Sequence, residues 1–164
     1  MNAHACCFTG HRELPADLTT LQLRLHAALL RLYSQGYTDF YSGGAAGFDL
    51  LAGEAVLDTA AQHALPLRLH LVLPYDRTQL ARELLSDEQR RQLRLLRQAA
   101  SVVTLSPRYY RGCFHVRNRY LVDHSSYCLC YLRQGEGGTA YTVAYAQKKG
   151  VPVENLASPA GRIP

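Results

Sequence analysis

Three short strings in this chain hold the residue types that grip phosphate. Thr9-Gly10-His11-Arg12 places a hydroxyl, a glycine, an imidazole and a guanidinium side by side. The glycine lets the backbone turn sharply or approach a ligand closely, and Arg12 brings a planar fork suited to phosphate or carboxylate. Ser42-Gly43-Gly44-Ala45-Ala46-Gly47-Phe48-Asp49 has three glycines in five residues ahead of a helical pattern. Bare backbone N–H groups there can point at an anion, and a helix N-terminus adds its positive dipole end. No Lys-Ser or Lys-Thr follows, so this is not a Walker loop, and a full GxGxxG is absent. Gly135-Glu136-Gly137-Gly138-Thr139 repeats the chemistry, with a threonine hydroxyl at a helix start.

A fourth string adds charge. In His115-Val116-Arg117-Asn118-Arg119 the helical spacing lets Arg119 pair with Asp123, four residues on. Arg117 and Asn118 have no such local partner and are expected to reach into a cleft. Asp49 at a helix start could accept a ribose hydroxyl, and Glu136 could reach the ligand from the third loop. The candidate ligand-binding set is therefore Thr9, Gly10, His11, Arg12, Ser42, Gly43, Gly44, Gly47, Phe48, Asp49, Arg117, Asn118, Gly137, Gly138 and Thr139. If the protein is an enzyme, Arg117, Glu136 and Asp49 are the catalytic candidates, though none has a partner that marks it as general acid or base.

Such loops need strands to position them. Short apolar runs at His4–Phe8, Thr38–Tyr41, Leu67–Leu73, Ser101–Leu105, Tyr127–Leu132 and Val151–Leu156 alternate with helical patterns. Leu18, Leu21, Leu25, Leu29 and Leu32 fall at helical spacing, with Asp17 before them and Gly36 after. Further helices are expected from Gly47 to about His63, over Arg77–Leu85, from the capping-box spacing Ser86-Asp87-Glu88-Gln89, over Val116–Ser126 and over Thr139–Lys149. Strand and helix in alternation predict an α/β, doubly wound, mainly parallel sheet with helices on both faces. The expected division is a single domain over residues 1–156 and a C-terminal tail, 157–164. In such sheets, ligands bind beyond the carboxyl ends of the strands, which is where the marked loops fall.

Composition sets the outer bounds. The chain has 164 residues, 48% of them apolar, enough for one substantial core. The net charge of +5 would allow an anionic ligand and equally nucleic acid. The basic residues are dispersed: between Asp76 and Arg97 six arginines share the stretch with four acids, the pattern of solvated helix faces. No basic stripe interleaved with aromatics is evident, so nucleic acid is not the expected partner. The five cysteines form no CxxC pair and sit mostly in apolar runs, so reduced, buried thiols are expected, with no metal. No signal peptide or membrane span is visible, and a cytoplasmic location is expected. Tyr75, Tyr109, Tyr110 and Phe114 follow strands three and four, where they could stack on a base or simply cover the core edge.

Four strings taken together resemble the YpsA-like family of the SLOG superfamily, which includes DprA and the Lonely-guy enzymes. They are Cys7–Arg12, Tyr41–Ala52, Arg117–Ser125 and Gly137-Gly138-Thr139 through Tyr145-Ala146, and the resemblance runs from about Cys6 to Val153. It implies a Rossmann-like fold and a pocket for a nucleotide or its derivative, of ADP-ribose or NAD type, with no separate cofactor. A homodimer through helices flanking the site, common among superfamily relatives, is the candidate assembly. Two alternatives follow from the same resemblance. One is hydrolysis of the N-glycosidic bond of a nucleoside phosphate, as in Lonely-guy enzymes, whose motifs resemble H-x-R-K and G-G-x-G-T-x-x-E. Here His115-Val116-Arg117-Asn118 is similar to the first, but Thr142 stands where the second has its acid. The other is single-stranded DNA binding, as in DprA.

Overall fold

The computed structural model describes residues 3–76 and 86–164. Among these residues six strands form one sheet: β1 (Ala5–Gly10), β2 (Asp39–Ser42), β3 (Arg68–Leu73), β4 (Ser101–Thr104), β5 (Tyr127–Tyr131) and β6 (Val153–Asn155). All are parallel, in the order β4-β3-β2-β1-β5-β6. Among the described residues five helices connect them: α1 (Thr19–Ser34), α2 (Phe48–His63), α3 (Asp87–Gln98), α4 (Cys113–Asp123) and α5 (Gly137–Lys148). The doubly wound, parallel architecture expected from the alternating pattern is present, and it is Rossmann-like, as the family resemblance implies. The helix expected over Arg77–Leu85 lies outside the described residues.

The pleat sorts the core into two layers. Cys6, Phe8, Leu69, Leu71 and Leu129 point to one face, where Leu21, Leu25, Leu29 and Leu32 of α1, Leu50 and Val56 of α2 and Leu95 of α3 meet them. Cys7, Val72, Cys128 and Cys130 point to the other, under Leu121 and Val122 of α4 and Val143 and Ala146 of α5. Strands buried on both faces read as continuous apolar runs, which is why ACCF and YCLCY show no alternation. The five cysteines are unpaired and buried. Burial pushes the Cys130 thiol up to about 12, and Cys6 is likewise raised by burial and by Cys7, so neither is a thiolate at neutral pH.

The helix ends follow local chemistry. Asp17 accepts from the Thr19 N–H at 2.9 Å at the start of α1, and Ser86 and Gln89 close the expected capping box on α3. α4 begins three residues before the expected Val116, because Gly112 takes φ +92° and turns the chain into the helix there. The tail folds back onto β6: Asn155 donates from its backbone to the Gly161 carbonyl at 3.1 Å and from its side chain to the Arg162 carbonyl at 2.9 Å. Among the described residues no helix is long and apolar enough to cross a membrane.

Candidate functional site

The chain winds outward from β1 to β4, then returns to lay β5 on the other side of β1. The loops after β1 and β5 therefore diverge onto opposite faces and leave a crevice between them. A cavity of about 410 Å³ opens there. Thr9, Gly10, His11 and Arg12 form one wall, Gly138 and Thr139 another, and Ala45, Asp49, Phe114, His115, Arg117 and Asn118 complete it. The structure thus brings nine of the fifteen candidate residues together. Ser42, Gly43, Gly44, Gly47, Phe48 and Gly137 stand behind or beside this lining.

The glycines of the second loop are occupied by the protein's own packing. A Cβ on Gly43 would lie 2.5 Å from Nη1 of Arg117, and that nitrogen donates to the Gly43 carbonyl at 2.8 Å. Gly47 sits at φ +81°, and a Cβ there would overlap the Arg12 backbone. The adjacent Phe48 N–H donates to the His11 carbonyl at 3.1 Å, docking the second loop on the first. The Gly44 N–H, expected to face an anion, is taken by the Ser42 hydroxyl at 3.1 Å, and that hydroxyl donates to the Asp49 carbonyl. Phe48 is wholly buried, stacked against Tyr131 and edge-on to Phe8, and so belongs to the core. The third loop differs: a Cβ on Gly137 or Gly138 would meet nothing within 4 Å, so the space above is open.

Arg117 is the strut of the site. It is only 5% exposed. Its Nε donates to Asn118 Oδ1 at 2.8 Å, so these two residues do have a local partner, namely each other. Its guanidinium lies over the Phe114 ring at 5.9 Å. The expected Arg119–Asp123 pairing is replaced. Arg119 donates to the Tyr141 hydroxyl at 2.9 Å, while Asp123 accepts from the Tyr145 hydroxyl at 2.8 Å and pairs with Lys149 at 3.6 Å.

Asp49 is the unusual group. It lies in the first turn of α2, buried in the cavity wall, and its Oδ1 has no hydrogen-bond partner among the described residues. Burial raises its pKa to about 6, against the charge of Arg117, a hydrogen bond from the Ala45 backbone and the charge of Arg12. An orphaned buried carboxylate oxygen is costly unless something completes it. Glu136 stands exposed ahead of α5, outside the cavity. Thr142 is buried and donates to the Gly138 carbonyl at 2.8 Å, turned into its own helix. Glu54 is ion-paired with Arg91, away from the cavity.

Sequence reasoning missed Ala45 and left Phe114 undecided. It also missed a second cavity of about 510 Å³, lined by His11, Arg12, Glu13, Arg133 and Gln134. Its signal was available, since Arg133 follows the end of β5 almost directly. The stretch Arg108-Tyr109-Tyr110-Arg111 is exposed, a short basic and aromatic run that dispersed charge elsewhere had obscured.

The comparisons with known proteins agree with this architecture. A search of curated proteins finds no match. Among solved structures, DNA processing protein A from Helicobacter pylori is similar, with a TM-score of 0.63 and 19% identity, covering 92% of this chain and 64% of that one. DprA from Streptococcus pneumoniae is similar too, with a TM-score of 0.64 and 15% identity, covering 93% of this chain and 50% of that one. The chain thus spans less than two thirds of either relative, and at these identities the likeness concerns the fold. The family model YpsA, described as the YspA SLOG family, matches residues 7–154, nearly the whole sheet and its loops, and the chain belongs to that family.

Proposed function

We propose that the crevice binds a nucleotide-derived, phosphate-bearing small molecule, of ADP-ribose or NAD type, and that the protein senses or sequesters it. The observation that carries this reading is the orphaned Oδ1 of Asp49, buried in the wall of a 410 Å³ cavity at the switch point of the sheet. A ribose hydroxyl donated to that oxygen would complete it. Arg12 offers charge to a phosphate, and the open backbone at Gly138 with Thr139 forms a helix N-terminus facing the same space. Membership of a SLOG family and the DprA-like fold support a role around nucleotides or DNA.

Mass spectrometry of small molecules released from the purified, denatured protein tests the reading, followed by calorimetric titration of what is found. A nucleotide-type compound whose affinity falls in Asp49→Asn is the expected result. Release of sugar phosphates or amino acids alone would sink it. Under the same reading nucleoside monophosphates, NAD and ADP-ribose survive incubation. Liberation of free base, dependent on Asp49 or Arg117, would instead favour N-glycosidic hydrolysis.

One observation favours a second reading, single-stranded DNA binding. Tyr109 is 61% exposed, and Arg108 and Arg111 flank Tyr109 and Tyr110. The Helicobacter pylori relative binds single-stranded DNA. Stacking tyrosines between arginines are one way to hold a strand. Oligonucleotide affinity that drops steeply with salt and with Tyr109→Ala would support it.

A further inference from the structure

We infer that the ligand lies across the site in one direction, base at the α4 end and a second anionic group in the Arg133 cavity. This rests on the nucleotide-binding reading above. The two cavities share His11 and Arg12, so they form one trough. Phe114 and His115 line only the first cavity, while Arg133 and Gln134 line only the second. The trough therefore has two chemically distinct ends, with Asp49 on the wall of the first.

The α4 end is aromatic. Tyr109 packs edge-on to Tyr75 at 5.7 Å, and both contact Phe114, at 6.1 and 6.4 Å. Tyr109 keeps most of its surface free although two rings hold it in place. Phe114 is the ring on the cavity wall, and a flat base can stack on it with little further ordering because the two tyrosines already brace it. The opposite end is cationic. Arg12 and Arg133 are both exposed, and one carboxylate, Glu13, shares the cavity lining with them. His11 between them is fixed: its Nε2 accepts from the Arg133 N–H at 3.0 Å, and its ring meets Tyr131 edge-on. With Nε2 accepting, Nδ1 is the protonated nitrogen and is left as a donor. Burial and the charge of Arg133 hold the His11 pKa below the ordinary value, which keeps the ring neutral, and the Arg133 N–H on Nε2 then sets the tautomer. Two guanidiniums and an imidazole N–H suit a phosphate beyond the first, or a phosphate-linked second sugar. The class implied is a nucleoside bearing at least two phosphates, rather than a pentose phosphate or a nucleoside monophosphate.

The experiment is a calorimetric matrix at constant ionic strength. Ribose 5-phosphate, AMP, ADP and ADP-ribose are titrated into wild-type, Arg133→Gln, Phe114→Leu and Asp49→Asn proteins, each checked for folding by circular dichroism. The trough predicts that Arg133→Gln weakens ADP and ADP-ribose about tenfold and leaves AMP within about twofold. Phe114→Leu should weaken the three base-bearing ligands and spare ribose 5-phosphate. Asp49→Asn should weaken all four. If Arg133→Gln affects AMP as much as ADP-ribose, or affects neither, the direction is wrong while the Asp49 site stands. If Asp49→Asn changes nothing, or the wild type binds none of the four, the nucleotide-binding reading fails and takes this inference with it.

Discussion

Asp39 and Asp49 sit at opposite ends of one strand and its following loop, and each is only 6% exposed. Their surroundings could hardly differ more. Asp39 opens β2, and both of its oxygens are used: Oδ1 meets His70 Nε2 at 2.7 Å, and Oδ2 accepts from Arg68 at 2.9 Å. His70 continues to the Ser101 hydroxyl at 2.6 Å and stacks on Tyr41, so one carboxylate organises β2, β3 and β4. Burial opposes its charge, but the hydrogen bonds and charges of His70 and Arg68 outweigh burial and leave the pKa below the ordinary value. Asp49 keeps an oxygen unpartnered, and burial wins. Two carboxylates of equally small exposure thus differ in how deeply they are packed and in whether the protein completes them. The one left incomplete is the one facing a cavity, which is how a ligand site differs from a structural joint.

The largest expected effect breaks the comparison at Asp49. A carboxyl with a folded pKa of about 6 against an ordinary 3.8 destabilises the charged native state at neutral pH. At 1.36 kcal/mol per unit the penalty is roughly 3 kcal/mol. The folded state binds the extra proton between these two values, so stability falls as pH rises from about 4 to about 6 and stays low above. Asp49→Asn removes the charge and the penalty. Urea denaturation should show the variant more stable than wild type at pH 7 by up to about 3 kcal/mol, with the gap closing near pH 4. An equal gap at both pH values would contradict the assignment. Added ligand should then stabilise wild type more than the variant.

Asp39→Ala should do the reverse. It strands the half-buried His70 and loses two hydrogen bonds, one to a charged group, and the expected cost at pH 7 is about 2–3 kcal/mol. The sign with pH is also reversed. A lowered carboxylate pKa contributes stability above the unfolded value and loses it as pH falls through the folded one. The deficit of the variant should therefore shrink below about pH 4. Ligand affinity should be unchanged, since Asp39 lies at the far end of the sheet.

Gly43→Ala tests the link between Arg117 and the Asp49 pocket. The new methyl would lie 2.5 Å from Arg117 Nη1 and 2.9 Å from Asp49 Oδ2. Overpacking of this kind costs about 1–3 kcal/mol. Because Arg117 must move, ligand binding should fall together with stability. Gly138→Ala, where a Cβ meets nothing within 4 Å, should leave thermal stability nearly unchanged. Similar melting temperatures for the two variants would refute the packing role of Gly43.

The strands and their order of alternation with helices were legible because apolar runs and helical spacing are local signals. The marked loops were legible for the same reason, since strand ends and glycines announce themselves. The reason for Gly43 was not legible: its neighbour Arg117 is 74 residues away. Arg117 looked like a residue free to meet a ligand because its partners, the Gly43 carbonyl and the Phe114 face, come together only after folding. Asp49 was marked by its place at a helix start, but its orphaned oxygen depends on what α4 and the first loop bring near it. The start of α4 was misjudged because Gly112 reads equally well as a turn. Arg133 carries no local mark of its own, because the glycines just after it signal a helix start and not a strand-end side chain.

The smallest expected effect sharpens the account of Asp39 by separating its two partners. Arg68 has a side chain 60% exposed, whereas that of His70 is 14% exposed. A solvated guanidinium contributes little, because water screens the pair and the long side chain must be held in one place. Arg68→Gln should therefore cost no more than about 0.5–1 kcal/mol in urea denaturation. It should also raise the Asp39 pKa toward the ordinary value without restoring it, since the His70 hydrogen bond remains. Carboxyl carbon shifts followed by NMR through the acid range would read that pKa directly. A residual depression in Arg68→Gln places the joint on the buried imidazole. Its complete loss would move the weight to the exposed arginine, and the contrast with Asp49 would then rest on surface charge and should vanish in high salt.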